Sequence, residues 1–283
     1  MAVGTTIDKR RRLASWLSGH GIEIGALHRP LPLPSGAQVT YVDRLPVDEL
    51  RRHYAELASE PFAPVEIIGT ADNLAAIADN SVDFIVANHL LEHLEDPIAG
   101  LLEFQRVLKP GGVLYMALPD SRVTFDRDRA LTDSEHILEE HRQGFASNRL
   151  AHYLDWVIRV EKQRDDCDAR VRQLMDMGYA IHFHVWTADT FLEFFYAART
   201  MAGLDYELLA FAPAETPADD EFIVVMRKGR THSLPVAPRA GGNSPVARLR
   251  AVGFGLRRRV ARRLPGVRLL RAARQALRRS AGR

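Results

Sequence analysis

Cysteine and long apolar runs are nearly absent from this 283-residue sequence. Cys167 is its single cysteine, which excludes an internal disulfide and a multi-cysteine zinc site and favours a reducing compartment. No stretch reaches the roughly 18–20 apolar residues that cross a bilayer. The apolar segment after the basic residues 9–12 is interrupted at residues 18–20, short of a signal-peptide core of about 7–15 residues. We therefore expect a cytoplasmic chain without an export signal.

Acidic side chains are missing from residues 227–283, which hold 17 of the 38 Lys and Arg residues. The other 21 basic residues face 36 acidic ones in residues 1–226, so the net charge of +2 divides into +17 and −15. Hydrophobic residues at 46% and charged residues at 26% are ordinary globular values, which exclude a disordered chain, a collagen-like fibre and a coiled-coil rod. The body and the tail of the chain are therefore expected to have different partners.

The tail, residues 246–283, has apolar residues at every third or fourth position with arginines between them. Pro265 and Gly266 should divide this pattern into two helices, and the Pro- and Gly-rich residues 231–245 should form a linker. A basic amphipathic segment is attracted to anionic lipid headgroups by about 1 kcal/mol per basic residue, and its apolar stripe can enter the interface. We expect the tail to bind the inner face of the membrane.

Two other interpretations of the tail stay open. Phosphate neutralisation on nucleic acid also uses arginine, but the tail has Phe254 as its single aromatic residue and the body is acidic. Nucleic acid is therefore disfavoured as a partner. Alternatively, the tail folds onto the acidic body or onto a partner protein.

Residues 1–230 are predicted to form one α/β domain, because short apolar segments alternate with segments of helical spacing. Strands are predicted at residues 21–25, 38–43, 65–69, 82–88 and 113–118. Helices are predicted at residues 7–18, 47–57, 73–78 and 98–108, the last stopped by Pro110, Gly111 and Gly112. Alternation in this order favours a doubly wound parallel sheet with helices on both faces.

The pattern changes after residue 120. Residues 121–180 are charged and helical in spacing, which predicts a helical insertion after the fifth strand, and an apolar helix follows at residues 189–201. Strands at residues 206–211 and 221–226 are joined by a turn too short for a crossover helix, so they should pair antiparallel. The sequence thus predicts a seven-stranded sheet that ends in an antiparallel hairpin.

Ligands of open α/β sheets bind beyond the carboxyl ends of the strands, and Glu23 and Gly25 end the first predicted strand. The segment lacks the G-x-G-x-x-G pattern and continues into Pro30 instead of a helix start, so it offers no helix N–H groups to a pyrophosphate. Glu23 would also repel that negative charge. Charge therefore favours a cationic cofactor without phosphate, such as S-adenosylmethionine.

Polar side chains also follow the next two predicted strands. Asp43 ends the second strand, about 20 residues after the first, where a carboxylate can accept hydrogen bonds from both hydroxyls of a ribose. Asp72 and Asn73 follow the third strand and could accept from an adenine amino group. The alternatives are a turn aspartate at Asp43 and a helix N-cap at Asp72.

The most specific motifs of the sequence begin at the end of the fourth predicted strand and continue after it. Residues 87–97 read Ala-Asn-His-Leu-Leu-Glu-His-Leu-Glu-Asp-Pro, and residues 106–112 read Arg-Val-Leu-Lys-Pro-Gly-Gly. Over residues 21–120 and the terminal hairpin, the chain resembles the class I S-adenosylmethionine-dependent methyltransferases, in particular their type 11-like branch. The resemblance implies a Rossmann-like fold. The loop at residues 26–30 departs from the family pattern, which has further glycines there.

The same resemblance assigns contacts with S-adenosylmethionine. It implies three groups of cofactor-binding residues: Glu23, Gly25 and Asn88 at the methionine part, Asp43 at the ribose, and Asp72 with Asn73 at the adenine.

Methyl transfer depends mainly on holding the acceptor in line with the carbon–sulfur bond, and an alcohol acceptor must also lose a proton. A histidine with a pKa near 6.5 suits that general-base role. His89 and His93 lie four residues apart at a predicted helix entry and could face the same side. Packing or helix capping is the alternative for each, and Glu92 is either solvent-facing or a helix-start carboxylate.

His182 and His184 form a second candidate pair, which in a strand would share a face. They could supply an acceptor-site base, a metal pair or a structural lining of the site. Thr187 or Asp189 is expected to cap the helix that follows. The sequence places no third metal ligand, so no metal site is predicted.

The insertion is expected to form the acceptor side of the site. Its side chains at Glu135, His136, Glu140, His141 and His152 suit either a hydroxyl-rich ligand or a solvated helical face. Residues 131–136 and 182–187 are similar to methyltransferases encoded among surface-polysaccharide enzymes, which implies O-methylation of a sugar hydroxyl in a glycan or lipid-linked saccharide. The alternatives are a small-molecule O- or N-methyltransferase and a non-catalytic methyltransferase-like scaffold that recruits partners through its tail.

Removal of residues 246–283 should abolish cosedimentation with anionic vesicles, because the arginine-rich stripe is then lost. The measurement compares pelleting of the full-length and shortened chains with phosphatidylserine-containing vesicles, and neutral phosphatidylcholine vesicles serve as the control. Equal pelleting of the two chains would remove the membrane interpretation.

Overall fold

A seven-stranded sheet forms the centre of the domain in the computed structural model, which describes residues 6–214 and 219–229. The strands are β1 Gly19–Ile24, β2 Ala37–Asp43, β3 Ile67–Ile68, β4 Val82–Val86, β5 Leu108–Pro119, β6 Tyr206–Ala212 and β7 Glu221–Lys228. Their order is β3-β2-β1-β4-β5-β7-β6. Strands β1 to β5 pair parallel, whereas β7 pairs antiparallel with both β5 and β6. The predicted fold class and its terminal hairpin are confirmed, and the predicted linker and tail lie outside the described residues.

Seven α-helices occur in the described part of the chain. They are α1 Thr6–Ala14, α2 Val47–His53, α3 Pro97–Val107, α4 Ser134–Gln143, α5 Arg149–Arg159, α6 Cys167–Asp176 and α7 Ala188–Ala202. Asp96 accepts hydrogen bonds from two amides in the first turn of α3. Thr187 caps α7 in a reciprocal arrangement with Thr190, which confirms one of its two predicted caps.

One predicted helix is replaced by turns. Residues 73–78 contain no helix, because side chains of α3 satisfy the backbone of this segment. Arg106 donates hydrogen bonds to the carbonyl oxygens of Leu74 and Ile77, and Glu103 accepts one from the Leu74 amide. The helix prediction for residues 73–78 was therefore wrong.

Irregular chain also covers part of the sheet. Between β1 and β2 no helix forms, and Leu31 and Leu33 of this connection pack with Leu13 and Leu17 near α1 against one face. Helices α3 and α7 contribute to the core on the opposite face. The expectation of helices on both faces holds, but two crossovers, β1 to β2 and β3 to β4, are made without a helix.

The Pro-Gly-Gly segment at residues 110–112 lies inside a strand. Helix α3 ends at Val107 and β5 begins at Leu108. The pairing of β4 with β5 is irregular near this point, and Gly111 has a φ of 83° that suits glycine. The segment therefore marks an irregular strand start instead of the predicted helix stop.

The predicted insertion is confirmed as helical. Helices α4, α5 and α6 lie between β5 and α7, and α5 and α6 share a small core that includes Trp156, Val157, Val171 and Leu174. None of the helices among the described residues is both long and apolar enough to cross a membrane.

Replacement of Phe191 by alanine should lower the free energy of unfolding by about 3–5 kcal/mol, because it leaves a cavity in the core. Phe191 of α7 is fully buried and its ring contacts Trp186 and Phe222. Tyr196→Ala on the same helix is the matched control, since Tyr196 is 50% exposed and its loss should cost less than about 1 kcal/mol. Urea unfolding of both variants checks the difference, and equal losses would contradict the assigned packing.

Candidate functional site

The carboxyl ends of β1, β2 and β4 meet where the strand order reverses. Ile24 pairs with Val42 and Glu23 pairs with Val86. The residues that follow, Gly25, Asp43 and Asn88, therefore lie on neighbouring strand ends. This position is the usual ligand site of open α/β sheets.

Two polar side chains and a glycine define this edge. Gly25 has a φ of 70°, which suits glycine, and its amide donates to Val42. Asp43 is 8% exposed and accepts from the Arg44 amide at 2.7 Å, while burial raises the pKa of its carboxyl. Asn88 accepts from the Ala117 amide at 3.1 Å, and its buried Nδ2 has no hydrogen-bond partner among the described residues. The edge thus offers a hydrogen-bond acceptor, the Asp43 carboxylate, and a hydrogen-bond donor without a partner among the described residues, Asn88 Nδ2.

Glu23 holds the connection between β1 and β2. Its side chain is 1% exposed, and both carboxylate oxygens accept from the Leu31 amide at 2.9 and 3.1 Å. Burial raises the pKa of Glu23 to about 7, although the hydrogen bond from Leu31 opposes that shift. A contact of Glu23 with the methionine part of a cofactor stays a prediction.

Asp72 and Asn73 are exposed beyond β3. Thr70 and Asn73 form a backbone bridge, and the Asn73 side chain accepts from the Ala75 amide at 3.3 Å. Because residues 73–78 form no helix, the capping alternative for Asp72 is wrong. Contacts of both residues with an adenine stay a prediction.

A cavity of about 570 Å³ lies beyond the ends of β4 and β5. It brings together His89 and His182 from the two predicted histidine pairs. Side chains that follow β5, together with Lys162, complete much of its wall: Thr124, Phe125, Arg127 and Asp128. The insertion therefore contributes to this cavity, and its role as the acceptor side stays a prediction.

His89 is fixed at the cavity by a buried carboxylate. Its φ of 47° lies in the left-handed region, and its Nε2 is 2.7 Å from Glu221. Glu221 also accepts two hydrogen bonds from Arg10. Burial opposes ionisation of Glu221, but the hydrogen bonds from Arg10 and His89 outweigh it and lower its pKa to about 2. Burial likewise opposes protonation of His89, and the bond to Glu221 outweighs it and raises the histidine pKa.

Glu92 and His93 lie in a 3-10 turn before α3, not on a helix entry as predicted. Glu92 is 0% exposed, so the expectation of a solvent-facing side chain is wrong. His89 Nδ1 lies 3.6 Å from Glu92 Oε1. His93 Nδ1 donates to the carbonyl oxygen of Ile181 at 2.9 Å, and burial lowers the pKa of His93 to about 3.

His182 and His184 have different surroundings, because residues 181–187 form no strand. His182 Nδ1 is 2.6 Å from Asp126. His184 stacks on Trp186, and burial lowers the pKa of His184 to about 3. The expectation that both rings share a face is wrong, and of the two only His182 lines the cavity.

Glu140 binds two of the three histidines of the insertion, whereas His141 lies 2.8 Å from Asp96. Glu140 accepts hydrogen bonds from His136 at 3.0 Å, His152 at 2.9 Å and Asn148 at 3.0 Å. Because Glu140 is buried, the interpretation of this region as a solvated face does not hold for it.

Sequence reasoning missed two carboxylates of the site, Asp126 and Glu221. Glu221 is the first residue of the predicted seventh strand, and it pairs in register with Pro119 at the end of β5. An acidic residue at this strand start was the signal that could have identified it. Asp126 follows β5 in a 3-10 turn of the insertion, and no spacing in the sequence connects it with His182.

The seven-stranded sheet with its antiparallel end hairpin is the fold expected for class I S-adenosylmethionine-dependent methyltransferases. Residues 18–116 match the family model described as a methyltransferase domain. Residues 18–116 are therefore similar to a methyltransferase domain, as the sequence resemblance predicted.

Curated relatives also match part of the chain. A thiol S-methyltransferase, TMT1B of Rattus norvegicus, is 39% identical over 87 residues, which cover 29% of this chain and 34% of the relative. A ubiquinone biosynthesis O-methyltransferase of Xanthomonas oryzae pv. oryzae is 36% identical over 128 residues, covering 44% of this chain and 50% of the relative. The chain thus spans half or less of these curated relatives.

Solved structures of similar proteins include an S-adenosylmethionine-dependent methyltransferase from Methanosarcina mazei. It is 19% identical to this chain with a TM-score of 0.43, and the match covers 78% of this chain and 98% of the other.

Glu23 should make the stability of the cofactor-free protein fall with rising pH. Its pKa of about 7 in the folded state exceeds the ordinary value of 4.5, so the unfolded chain ionises first. The contribution of Glu23 to the free energy of unfolding is fully present below about pH 4.5 and is lost as the pH rises through about 7. The free energy of unfolding should fall by about 3 kcal/mol over this range. Urea unfolding of wild type and Glu23→Gln between about pH 5 and 8 isolates this contribution. An identical pH dependence in the variant would contradict it.

Proposed function

We propose that this chain is an enzyme that methylates a sugar hydroxyl in a glycan or lipid-linked saccharide, with S-adenosylmethionine as the donor. The methyltransferase domain at residues 18–116 supports the donor and the reaction class. The observation that carries the acceptor class is the cavity beyond β4 and β5, with its exposed aromatic ring and charged rim. We further propose that residues 246–283 hold the enzyme at an anionic membrane surface.

The strand-end residues fit the cofactor. The unpaired Nδ2 of Asn88 can donate to the methionine carboxylate, and the carboxylate of Asp43 can accept from the ribose hydroxyls. Gly25 leaves the edge of the sheet open between them, since an added Cβ would meet a single neighbouring atom, on Leu90 at 3.6 Å. When bound, S-adenosylmethionine supplies an electrophilic methyl group on a positively charged sulfur.

The cavity has features that suit a hydroxyl-rich ring. Phe125 is 53% exposed there and can lie against the apolar face of a sugar. Arg127, Asp128 and Lys162 supply hydrogen-bond donors and acceptors at the rim. A largely open pocket with a few polar groups fixes ligand orientation through those groups.

His89 is the group we propose to remove the acceptor proton. Its Nε2 lies 2.7 Å from Glu221, which is ionised and can only accept, so Nε2 carries the proton and Nδ1 is the basic atom. The carboxylate orients the ring and stabilises the charged imidazole that forms, as in other carboxylate-oriented histidine bases. This assignment explains why a histidine occupies a left-handed backbone position beside the cavity.

Methylation of a small molecule is the second candidate, because similar proteins include an O-methyltransferase of ubiquinone biosynthesis and a thiol S-methyltransferase. An aromatic or thiol acceptor would also contact Phe125. The charged groups at the rim favour the saccharide over these acceptors.

Incubation with methyl-labelled S-adenosylmethionine and separate pools of oligosaccharides, lipid-linked saccharides, phenols and thiols tests the proposal. We expect label in a saccharide pool and its loss in Asp43→Asn, whose affinity for the cofactor should fall about 10- to 100-fold because a charge-assisted hydrogen bond is weakened. Titration calorimetry measures that affinity.

Asp48→Asn is the matched control for the cofactor site, since Asp48 is exposed on α2 and is not among the predicted cofactor contacts. A smaller effect in this variant supports the assignment of Asp43 to the ribose. Label that appears only with phenols or thiols would replace the saccharide proposal, and no binding of the cofactor would reject the enzyme in favour of a scaffold.

A further inference from the structure

The buried carboxylate of Glu92, next to the cavity, accepts no hydrogen bond among the described residues. His89 Nδ1 lies 3.6 Å from it, and His93 and His182 lie close by. Glu92, His93 and His182 each offer a ligand atom within 4.8 Å of the others. Glu92 is 0% exposed, and neither of its carboxylate oxygens has a hydrogen-bond partner in the described part of the chain. Burying a charged carboxylate without hydrogen bonds or a counter-ion costs free energy. We therefore expect the Glu92 carboxylate either to bind a cation or to be protonated.

Both histidines are held as metal-binding histidines usually are. Nδ1 of His93 donates to the carbonyl oxygen of Ile181 at 2.9 Å, and Nδ1 of His182 is 2.6 Å from the Asp126 carboxylate. Such contacts fix the proton on Nδ1 and leave Nε2 of each ring to accept. A carbonyl or carboxylate behind a ligating histidine is the common outer shell of metal sites.

The outer shell is itself fixed. Arg129 donates to Asp126 at 2.8 Å and to the carbonyl oxygen of His182, also at 2.8 Å. The amide of Phe183 donates to the carbonyl oxygen of Glu92 at 2.8 Å, which joins the two chain segments that carry the three side chains. The ligand atoms are therefore positioned before any ion binds.

A second histidine–carboxylate cluster provides the contrast. In the group of His136, Glu140 and His152, one carboxylate oxygen already accepts three hydrogen bonds. The charge of Glu140 is therefore compensated by its neighbours. The carboxylate of Glu92 lacks such bonds, which makes its cluster the one that needs an ion.

We infer that Glu92, His93 and His182 bind one divalent transition-metal ion, with an open coordination position toward the cavity that His182 lines. Two imidazole nitrogens and one carboxylate suit Zn²⁺ and related first-row ions better than Mg²⁺ or Ca²⁺, which prefer all-oxygen sites. Glu92 supplies the third ligand that the sequence did not place. If the proposed function holds, the open position can bind an oxygen atom of the acceptor.

Metal binding is tested on the full chain after removal of metal with a chelator, without cofactor or acceptor, so that the result does not depend on methyl transfer. Zn²⁺ content after desalting and the visible absorption of added Co²⁺ are measured. We expect one ion per chain. Glu92→Gln and His182→Ala should each weaken binding more than about 100-fold, because loss of an outer-shell partner alone costs about 10- to 100-fold. Asp126→Asn should fall within that smaller range.

His152→Ala is the matched control, since it removes a histidine from the contrasting cluster and should leave metal affinity unchanged. Thermal unfolding of each variant establishes that it is folded, and wild type should gain thermal stability with added Zn²⁺. The inference is overturned if the wild type binds no ion at micromolar Zn²⁺. It is also overturned if folded Glu92→Gln binds as tightly as wild type, or if His152→Ala is the variant that loses the metal.

Discussion

Glu221 is a charged carboxylate with none of its surface exposed to solvent, and the arrangement of the site depends on how that charge is compensated. Arg10 of α1 binds it through two nitrogens, and His89 binds it from the loop after β4. A charge buried in this way is tolerated when its hydrogen bonds are complete, and removal of one partner is strongly destabilising. One side chain thus joins the first helix, the cavity histidine and the last strand.

The other buried glutamates obey the same constraint in different ways. Glu23 accepts from a backbone amide and has its pKa raised to about 7, so it is partly neutral near physiological pH. Glu140 is compensated by two histidines and an asparagine of the insertion. The carboxylate of Glu92 accepts no hydrogen bond among the described residues, and this exception is why we assign it a role in metal binding.

The topology separates two regions at the carboxyl ends of the strands. The ends of β1, β2 and β4 carry the groups that fit S-adenosylmethionine, whereas the cavity lies beyond β4 and β5 under the insertion. His89 lies in the loop after β4, close to both regions. The proposed reaction requires a donor held in the first region and an acceptor held in the second to be brought into line.

The sheet, its terminal hairpin and the resemblance to class I methyltransferases could be predicted from the sequence, because alternating apolar spacing and the motifs of residues 87–112 are local signals. The prediction failed for residues 73–78, where the side chains of Arg106 and Glu103 replaced helical hydrogen bonds. Only the tertiary structure decided which histidines line the cavity and which carboxylates hold them. Asp126 lies 56 residues from His182, and Glu221 lies 132 residues from His89. Contacts over such separations depend on how the insertion and the last strand pack, and no local pattern encodes them.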